Sequence, residues 1–198
     1  HLKKFFVKDN PEQVTLFVTN KCNCKCKHCF VQNLNKKEKE LTLEEIERIS
    51  KGFPKFIYLL IGGGEPFLRK DLDKIVNIFY VNNNVLNTSI STNGFYTEQI
   101  LRTVKEILSK YNHHLVVNVS IDGIGKDHDE IRKAPAFERA VKTIKELKKI
   151  KNDNFNVGVI ITMSHYNQTK LKEIYDFVKM LGVDSIALNY MRGVKGDM

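Results

Sequence analysis

The chain has 198 residues, of which 42% are hydrophobic and 28% charged, and its formal net charge is +9. This composition is typical of one globular domain with a substantial core, and no apolar run approaches the ~20 residues of a membrane-spanning helix. The first residues are too polar for a secretory signal. We therefore expect a cytoplasmic protein with no membrane partner.

The positive charge admits nucleic-acid binding, but the lysine pattern disfavours it. Lys142 and Lys145 interleave with Val141 and Ile144 at helical spacing, as on a solvated helix face opposite a buried one.

Apolar β-branched runs alternate with amphipathic stretches along the whole chain, which indicates repeated strand–helix units. The predicted strands are Val14–Thr19, Phe56–Ile61, Leu86–Ser91, Leu115–Ile121, Asn156–Thr162 and Ser185–Asn189. The predicted helices are Thr42–Lys51, Lys70–Tyr80, Thr97–Lys110, Phe137–Lys149 and Thr169–Leu181. Thr42 with Glu45 predicts a capping box, and Gly182 predicts a helix end.

These units fit either an open doubly wound sheet or a barrel. Small or polar residues end every strand, whereas an open sheet concentrates them at one switch point. We therefore predict an α/β fold, a partial (β/α)6 TIM-like barrel with parallel strands and outer helices. Residues 1–13 are predicted to be an N-terminal extension and residues 14–198 the core domain, and we expect a further C-terminal domain outside this chain.

The cysteines of the chain all lie directly after the first strand, at Cys22, Cys24, Cys26 and Cys29. Three of them have the spacing C-x3-C-x2-C and are followed by an aromatic residue, Phe30. Neighbouring thiols without a secretory signal disfavour disulfides. An iron–sulfur site is favoured over zinc, since zinc usually needs a second ligand pair from elsewhere, but His28 keeps zinc open.

Further motifs end the next strands. Gly62-Gly63-Gly64-Glu65-Pro66 follows the second strand and is either a site for close backbone approach to a ligand or a turn with a solvent-facing Glu65. Ser91-Thr92-Asn93-Gly94 ends the third strand and contains an Asn-Gly pair that is typical of turns.

Ser120-Ile121-Asp122-Gly123 ends the fourth strand, and His128-Asp129-Glu130-Ile131-Arg132 follows. Arg132 is either a ligand for a carboxylate or a surface ion pair with Asp129. Asn167 is predicted to cap a helix.

Taken together, over roughly residues 14 to 193, these motifs resemble the radical S-adenosylmethionine (SAM) superfamily. They are closest to its molybdenum-cofactor cyclase-like and SPASM peptide-maturase-like members. The resemblance implies that Cys22, Cys26 and Cys29 bind a [4Fe–4S] cluster whose fourth iron is chelated by SAM. Cys24 is then a bystander that points away from the face that holds Cys22 and Cys26.

The resemblance also implies roles for residues at the strand ends. The Phe30 backbone meets adenine, and Gly63, Gly64 and Glu65 hold the amino group of SAM. Ser120 and Arg132 bind ribose or the carboxylate. Thr92 or Asn93 is expected to line the cofactor cavity. Thr162 and Asn189 are either further cofactor contacts or strand terminators. Asp122 either contacts substrate or orders the Gly123 turn.

The implied reaction is reductive cleavage of SAM to a 5′-deoxyadenosyl radical, which abstracts hydrogen from a peptide or a small biosynthetic substrate. The implied electron donor is a protein such as ferredoxin or flavodoxin. Two alternatives remain at this stage: an RNA-modifying radical SAM enzyme, and a non-catalytic module stabilised by zinc.

Overall fold

The structure is a computed structural model that describes residues 11–31 and 39–191. Within them, six parallel strands form one sheet in the order β1-β2-β3-β4-β5-β6. The strands are β1 Gln13–Phe17, β2 Tyr58–Gly62, β3 Asn87–Thr92, β4 His114–Ser120, β5 Phe155–Met163 and β6 Ser185–Tyr190. The helices are α1 Leu43–Lys51, α2 Leu72–Asn83, α3 Thr97–Lys110, α4 Lys126–Arg132, α5 Phe137–Leu147 and α6 Leu171–Met180. Short 3-10 helices span Pro66–Leu68 and Gln168–Lys170.

The sheet curls into a half-barrel with the helices around it, which confirms the predicted partial TIM-like barrel. Each strand pairs with the next one along the chain, and every pairing is parallel. Alternate strand residues such as Ile61, Ile90, Val117 and Val159 are buried in the core between sheet and helices. The carboxyl ends of all the strands therefore lie along one edge, where the sequence motifs meet.

Most predicted element boundaries agree with the structure to within about two residues. The capping box is confirmed, because Thr42 Oγ1 accepts from Glu45 N and Thr42 N donates to the Glu45 carboxylate. Gly182 has a φ of 68°, as predicted for a residue that ends a helix. Helix α2 runs past its predicted end, Tyr80, as far as Asn83, and Asn84 follows it in the left-handed region.

Helix α4 was not predicted. It has only 7 residues and follows Gly125, whose φ is 56°. A helix this short shows too few turns for a clear apolar periodicity.

Two predicted features fall largely outside the described residues. The predicted N-terminal extension is not described up to position 10, and β1 begins at Gln13. The segment after the cysteines is not described between positions 32 and 38. In the described part of the chain, no helix is both long and apolar enough to cross a membrane.

Candidate active site

The cysteines lie on a loop that is fixed at both of its flanks by backbone hydrogen bonds. We call residues 20–30 the cysteine loop. On one flank, Gly64 N donates to Thr19 O at 2.7 Å and Glu65 N donates to Lys21 O at 2.8 Å. On the other flank, the loop contacts the end of α4. There Lys25 N donates to Arg132 O at 3.1 Å, and Lys27 N donates to Ile131 O at 2.9 Å.

The glycines after β2 are needed because the chain before the cysteines approaches them so closely. A Cβ atom on Gly64 would lie 2.2 Å from Lys21 O, and one on Gly63 would lie 2.4 Å from Thr19 O. Gly63 also has a φ of 125°, which is open to glycine and strained for other residues. The structure thus gives these glycines a packing role in seating the cysteine loop, next to the ligand role that the resemblance implies.

Glu65 is buried and connects the ends of β2 and β3. Its Oε1 accepts from Thr92 Oγ1 at 2.7 Å and from Phe67 N at 3.2 Å, and its Oε2 accepts from Asn93 N at 2.8 Å. Burial raises the pKa of Glu65 to about 7, although the three hydrogen bonds oppose that shift. The reading of Glu65 as a solvent-facing residue in a glycine turn is therefore wrong.

Asn93 links the end of β3 to the cysteine loop. Its side-chain amide donates to Asn23 Oδ1 at 2.8 Å and lies 3.9 Å from Cys22 Sγ. Thr92 is turned towards Glu65 and also accepts from Gly94 N at 3.0 Å. Asn93 therefore lies against the cysteines, whereas Thr92 is buried behind them.

The prediction that Cys24 points away from the other cysteines is wrong. Cys24 is 4% exposed, and its thiol hydrogen-bonds with both Cys22 and Cys26. The resemblance covers only the three spaced cysteines and does not fix Cys24. The loop is held against the end of α4 by Lys25 N and Lys27 N, and in this conformation the neighbouring thiols meet.

These contacts set the protonation of the thiols. Hydrogen bonding from Cys24 lowers the pKa of Cys22 to about 6 and that of Cys26 to about 7, with further help from the charge of Arg132 against the effect of burial. The same bonds raise the pKa of Cys24 far above its usual range.

A buried charged group supports the loop from below. Asp122 is fully buried, its Oδ2 lies 2.5 Å from Arg132 Nη2 and 3.5 Å from His28 Nε2, and its Oδ1 accepts from Thr162 N at 2.7 Å. Arg132 Nη1 also lies 3.7 Å from Cys26 Sγ. The alternative of a surface pair between Arg132 and Asp129 is wrong, because Arg132 is 7% exposed and pairs with Asp122.

Asp129 instead caps the start of α5. Its Oδ1 accepts from Ala136 N and Phe137 N, each at 2.8 Å.

Two residues of this group were not predicted as part of the site. His128 is fully buried, and its Nδ1 accepts from Asp122 N at 3.1 Å. Asn167 does not cap a helix with its side chain, which instead donates to Asp122 O at 3.0 Å and Thr162 O at 2.9 Å. Neither role could be predicted from the sequence, because the hydrogen-bond partners lie on other elements. The one indication was that His128 belongs to the motif after β4.

The remaining predicted residues are less enclosed. Ser120 and Thr162 are half-buried on the interior face of β4 and β5. Asn189 is exposed on β6. The ring of Phe30 is 41% exposed and lies 5.8 Å from that of Phe17.

A cavity of about 690 Å³ opens on the cysteine loop. Its lining residues are Asn20, Lys21, Cys22, Cys24, Lys25, Cys29, Val31, Lys39, Glu40 and Gly64. Cys26 does not line this cavity, and neither do the polar residues at the ends of β4 and β5. Among the described residues, no three His, Cys, Asp or Glu side chains are arranged around a single metal-ion position.

The donor chemistry nevertheless fits an iron–sulfur cluster, which is larger than one ion and is held by thiolates. Four thiols lie on one short loop, and the pKa values of two of them, Cys22 and Cys26, are lowered. The Nε of Arg132 and the Nδ1 of His28 are buried and have no hydrogen-bond partner among the described residues. The Arg132 Nε–H is a donor, and a buried donor beside the cysteines suits an anionic ligand group.

The model of the radical SAM superfamily matches residues 16–178. The chain belongs to the radical SAM superfamily. It is 30% identical to the Fe-coproporphyrin III synthase of Methanosarcina barkeri over 88% of this chain and 42% of that protein. It is 26% identical to the mycofactocin maturase MftC of Mycolicibacterium smegmatis over 81% of this chain and 40% of that protein. The chain thus spans less than half the length of these relatives.

A solved structure shares the fold. Streptococcus suis SuiB bound to S-adenosylmethionine has a TM-score of 0.76 at 21% identity, covering 98% of this chain and 44% of SuiB. The family confirms the resemblance drawn from the motifs, including the peptide-maturase-like subgroup. The chain is a radical SAM enzyme domain, and SAM and a [4Fe–4S] cluster are the cofactors of its family.

Proposed function

We propose that this chain is the catalytic core of a radical SAM enzyme that acts on a peptide, with Cys22, Cys26 and Cys29 as ligands of its cluster. The observation that carries the proposal is the fixed cysteine loop at the carboxyl ends of the strands, held between Gly64 and the end of α4. When bound, the cluster and SAM supply reductive cleavage of the sulfonium and a 5′-deoxyadenosyl radical that abstracts hydrogen.

In this proposal Cys24 lies among the ligands but remains a protonated thiol. The superfamily spacing supports the choice of the other three cysteines. Asn93, through its contacts with Asn23 and Cys22, holds the first ligand in place.

For SAM, we propose that Gly63 and Gly64 offer backbone groups to its amino end and that Arg132 binds its carboxylate. The unpaired Nε of Arg132 supports this role, because a guanidinium that pairs with Asp122 through one edge keeps another donor for a second carboxylate. Glu65 binds the amino group only through acceptor sites that Thr92, Asn93 and Phe67 leave free. Further proposed contacts with the cofactor are the Phe30 backbone, Ser120, Thr162 and Asn189.

A peptide is the substrate class that the comparisons support best. SuiB has also been solved bound to its precursor peptide SuiA, with a TM-score of 0.73 to this chain, and MftC is named a maturase. The name Fe-coproporphyrin III synthase keeps a small molecule as the second candidate. Family membership leaves the zinc-stabilised module without support, and no contact in the described residues favours RNA.

For the electron donor, we propose an acidic protein such as ferredoxin or flavodoxin. Among the residues that line the cavity at the cysteine loop, Lys21, Lys25 and Lys39 are cations and Glu40 is an anion. A basic surface beside the cluster would steer an acidic donor to it. Thiol ligands and a reduced cluster also suit the reducing cytoplasm, which we propose as the location.

The test compares two neighbouring cysteines after anaerobic reconstitution. We expect the unaltered chain to bind about four irons and four sulfides, as [4Fe–4S] ligation requires, and to cleave SAM when reduced. Cys26→Ala should abolish cleavage, whereas the matched control Cys24→Ala should retain most of it. Equal loss in both variants would disprove the ligand assignment, and bound zinc without sulfide would disprove the function.

A further inference from the structure

Asp122, just after β4, is fixed through both its backbone and its side chain. Its N donates to His128 Nδ1 at 3.1 Å, and its carbonyl O accepts from Asn167 Nδ2 at 3.0 Å. Its carboxylate Oδ1 accepts from Thr162 N at 2.7 Å. Because His128 belongs to α4 and Thr162 to β5, the carboxylate is held from two neighbouring elements and has little freedom to move.

The guanidinium of Arg132 lies between this carboxylate and the cysteine loop. Its Nη2 is 2.5 Å from Asp122 Oδ2, and its Nη1 is 3.7 Å from Cys26 Sγ. The backbone of Arg132 is fixed as well, since its carbonyl O accepts from Lys25 N at 3.1 Å. An arginine side chain has many rotamers, and the pair with Asp122 selects the one that points at Cys26.

The charge of Arg132 acts on the cysteines more strongly than the charge of Asp122. Hydrogen bonding from Cys24 is the main cause of the lowered pKa of Cys26. Among the charged groups, Arg132 lowers the pKa of Cys26 by more than Asp122 raises it, and Arg132 also helps to lower the pKa of Cys22. The ion pair therefore presents its positive end to the cysteine loop.

A positive charge beside a thiolate ligand favours the reduced form of an iron–sulfur cluster, because reduction adds a negative charge. Asp122 and Arg132 are both buried, so salt and water screen this effect only weakly. The proposed function requires one electron to convert [4Fe–4S]²⁺ to [4Fe–4S]⁺, and that electron comes from the acidic donor protein proposed above.

We propose that Asp122 is a positioning residue, which holds the guanidinium of Arg132 against Cys26 and thereby raises the reduction potential of the cluster. The inference rests on the proposed function and gives Arg132 a second role beside binding the SAM carboxylate. It also predicts a sign. If Asp122 acted only through its own negative charge, removing that charge would raise the potential. If it acts by holding Arg132, the same change releases the guanidinium and lowers the potential.

The experiment is a redox titration of the reconstituted chain without SAM, with titanium(III) citrate as reductant. Electron paramagnetic resonance measures the reduced cluster at each potential. In Arg132→Met, we expect the ratio of reduced to oxidised cluster at a given potential to fall about tenfold, a downward shift of about 59 mV for a one-electron couple. Asp122→Asn should shift the potential in the same direction, and Arg132→Lys, which keeps the charge, should recover part of the shift.

Arg69→Met is the matched control. The Arg69 side chain is 9% exposed and also pairs with an aspartate, since its Nε lies 2.8 Å from Asp71 Oδ1. Its other contacts are with Val18 O and Leu41 O rather than with a cysteine. This change should leave the potential unaltered even where it lowers stability or iron content. The titration detects only chains that hold a cluster, so partial loss of the cluster weakens the signal without moving the midpoint.

The double variant Asp122→Asn with Arg132→Met keeps the test decisive where a single variant holds no cluster. It removes both charges, leaves neither one buried without its partner, and should show the same downward shift. An unchanged potential in Arg132→Met or in the double variant, a rise in Asp122→Asn, or an equal shift in Arg69→Met would each overturn the inference. Absence of a cluster from all the variants of this pair, Arg132→Lys included, would show that the pair is purely structural and would overturn it too.

The proposed function is judged separately, from the iron and sulfide content of the unaltered chain and from its cleavage of SAM. A chain that holds its cluster and cleaves SAM, with variants that leave the potential unchanged, would keep the function and refute only the role of Asp122. An unaltered chain without a cluster would refute the function itself.

Discussion

Glu65 after β2 and Asp122 after β4 are both buried carboxylates that accept a backbone N–H from the end of the next strand. Glu65 accepts from Asn93 N, and Asp122 accepts from Thr162 N. They differ in how the buried negative charge is balanced. Asp122 pairs with Arg132, whereas Glu65 accepts from the neutral donors of Thr92, Asn93 and Phe67 and burial raises its pKa to about 7.

The difference shows two ways of holding one loop. On the Glu65 side, the loop is seated by backbone contact with glycines, and the carboxylate stiffens the strand ends beneath. On the Asp122 side, it is seated on α4 through an ion pair that also reaches Cys26. The stability of the first arrangement should depend on pH and on side-chain volume added at the glycines. The stability of the second should depend on the charge of Asp122.

The largest effect is expected from Asp122→Asn. This change keeps an acceptor for Thr162 N but leaves the buried Arg132 without its counter-charge, which should cost about 3–5 kcal/mol of unfolding free energy. Urea denaturation of the chain without cofactors measures it. The double variant Asp122→Asn with Arg132→Met should recover part of the loss, and a stable single variant would contradict the role of the pair.

The pH dependence of stability that is caused by Glu65 should be nearly as large. The folded state keeps the proton of Glu65 up to about pH 7, whereas the reference value is 4.5. Its contribution is therefore most favourable below about pH 4.5 and is lost as pH rises to 7, by about 3 kcal/mol in all. Denaturation of Glu65→Gln and of the unaltered chain at pH 5 and pH 8 measures the difference; parallel profiles would contradict the burial of this carboxylate.

His128, which contacts Asp122, should give a pH dependence of stability with the opposite sign. Burial lowers its pKa from 6.5 to about 4, so the unfolded chain takes up the proton first as pH falls. Its contribution is present above about pH 6.5 and is lost towards pH 4, again by about 3 kcal/mol. His128→Asn keeps an acceptor near Asp122 N and should remove this slope from stability measured between pH 4 and pH 7. If the slope persists in the variant, His128 is not its source.

Replacement by alanine should have different effects at Gly64 and at Gly62. Gly64→Ala places a Cβ 2.2 Å from Lys21 O and should destabilise the chain by about 1–3 kcal/mol. Gly62→Ala is the matched control, because its Cβ would lie 3.4 Å from the Phe17 ring, an ordinary contact. Thermal denaturation and iron content after reconstitution measure both variants; equal behaviour would show that the loop moves aside at little cost.

The smallest effect is expected from Lys27→Ala. Lys27 Nζ lies 2.7 Å from Glu130 Oε1 and 5.0 Å from the Tyr166 ring centre, but Glu130 is largely exposed. Such an exposed pair contributes little to stability and is screened by salt. A change in stability as large as that of Asp122→Asn would mean that the surface pair, rather than the buried one, fixes the loop on α4.

Several predictions from the sequence depended only on local order along the chain, and these agree with the structure. Strand–helix alternation predicted the half-barrel, because each period reports which residues are buried. The capping box at Thr42 and the left-handed Gly182 are set by neighbours within a few residues. The motifs Cys22–Cys29 and Gly62–Pro66, in order, identified the family.

What the sequence could not show was the direction of each polar side chain at the strand ends. From the sequence, Glu65 was either a ligand for SAM or a solvent-facing turn residue, and Asp122 either contacted substrate or ordered the Gly123 turn. Cys24 was interpreted as a bystander. Those alternatives are separated by contacts between residues far apart in sequence, such as Arg132 with Cys26 or Gly64 with Lys21. Sequence spacing fixed the order and the chemistry of the groups at this edge of the sheet, while packing among distant elements decided which of them face each other, because burial and hydrogen bonding act between neighbours in space.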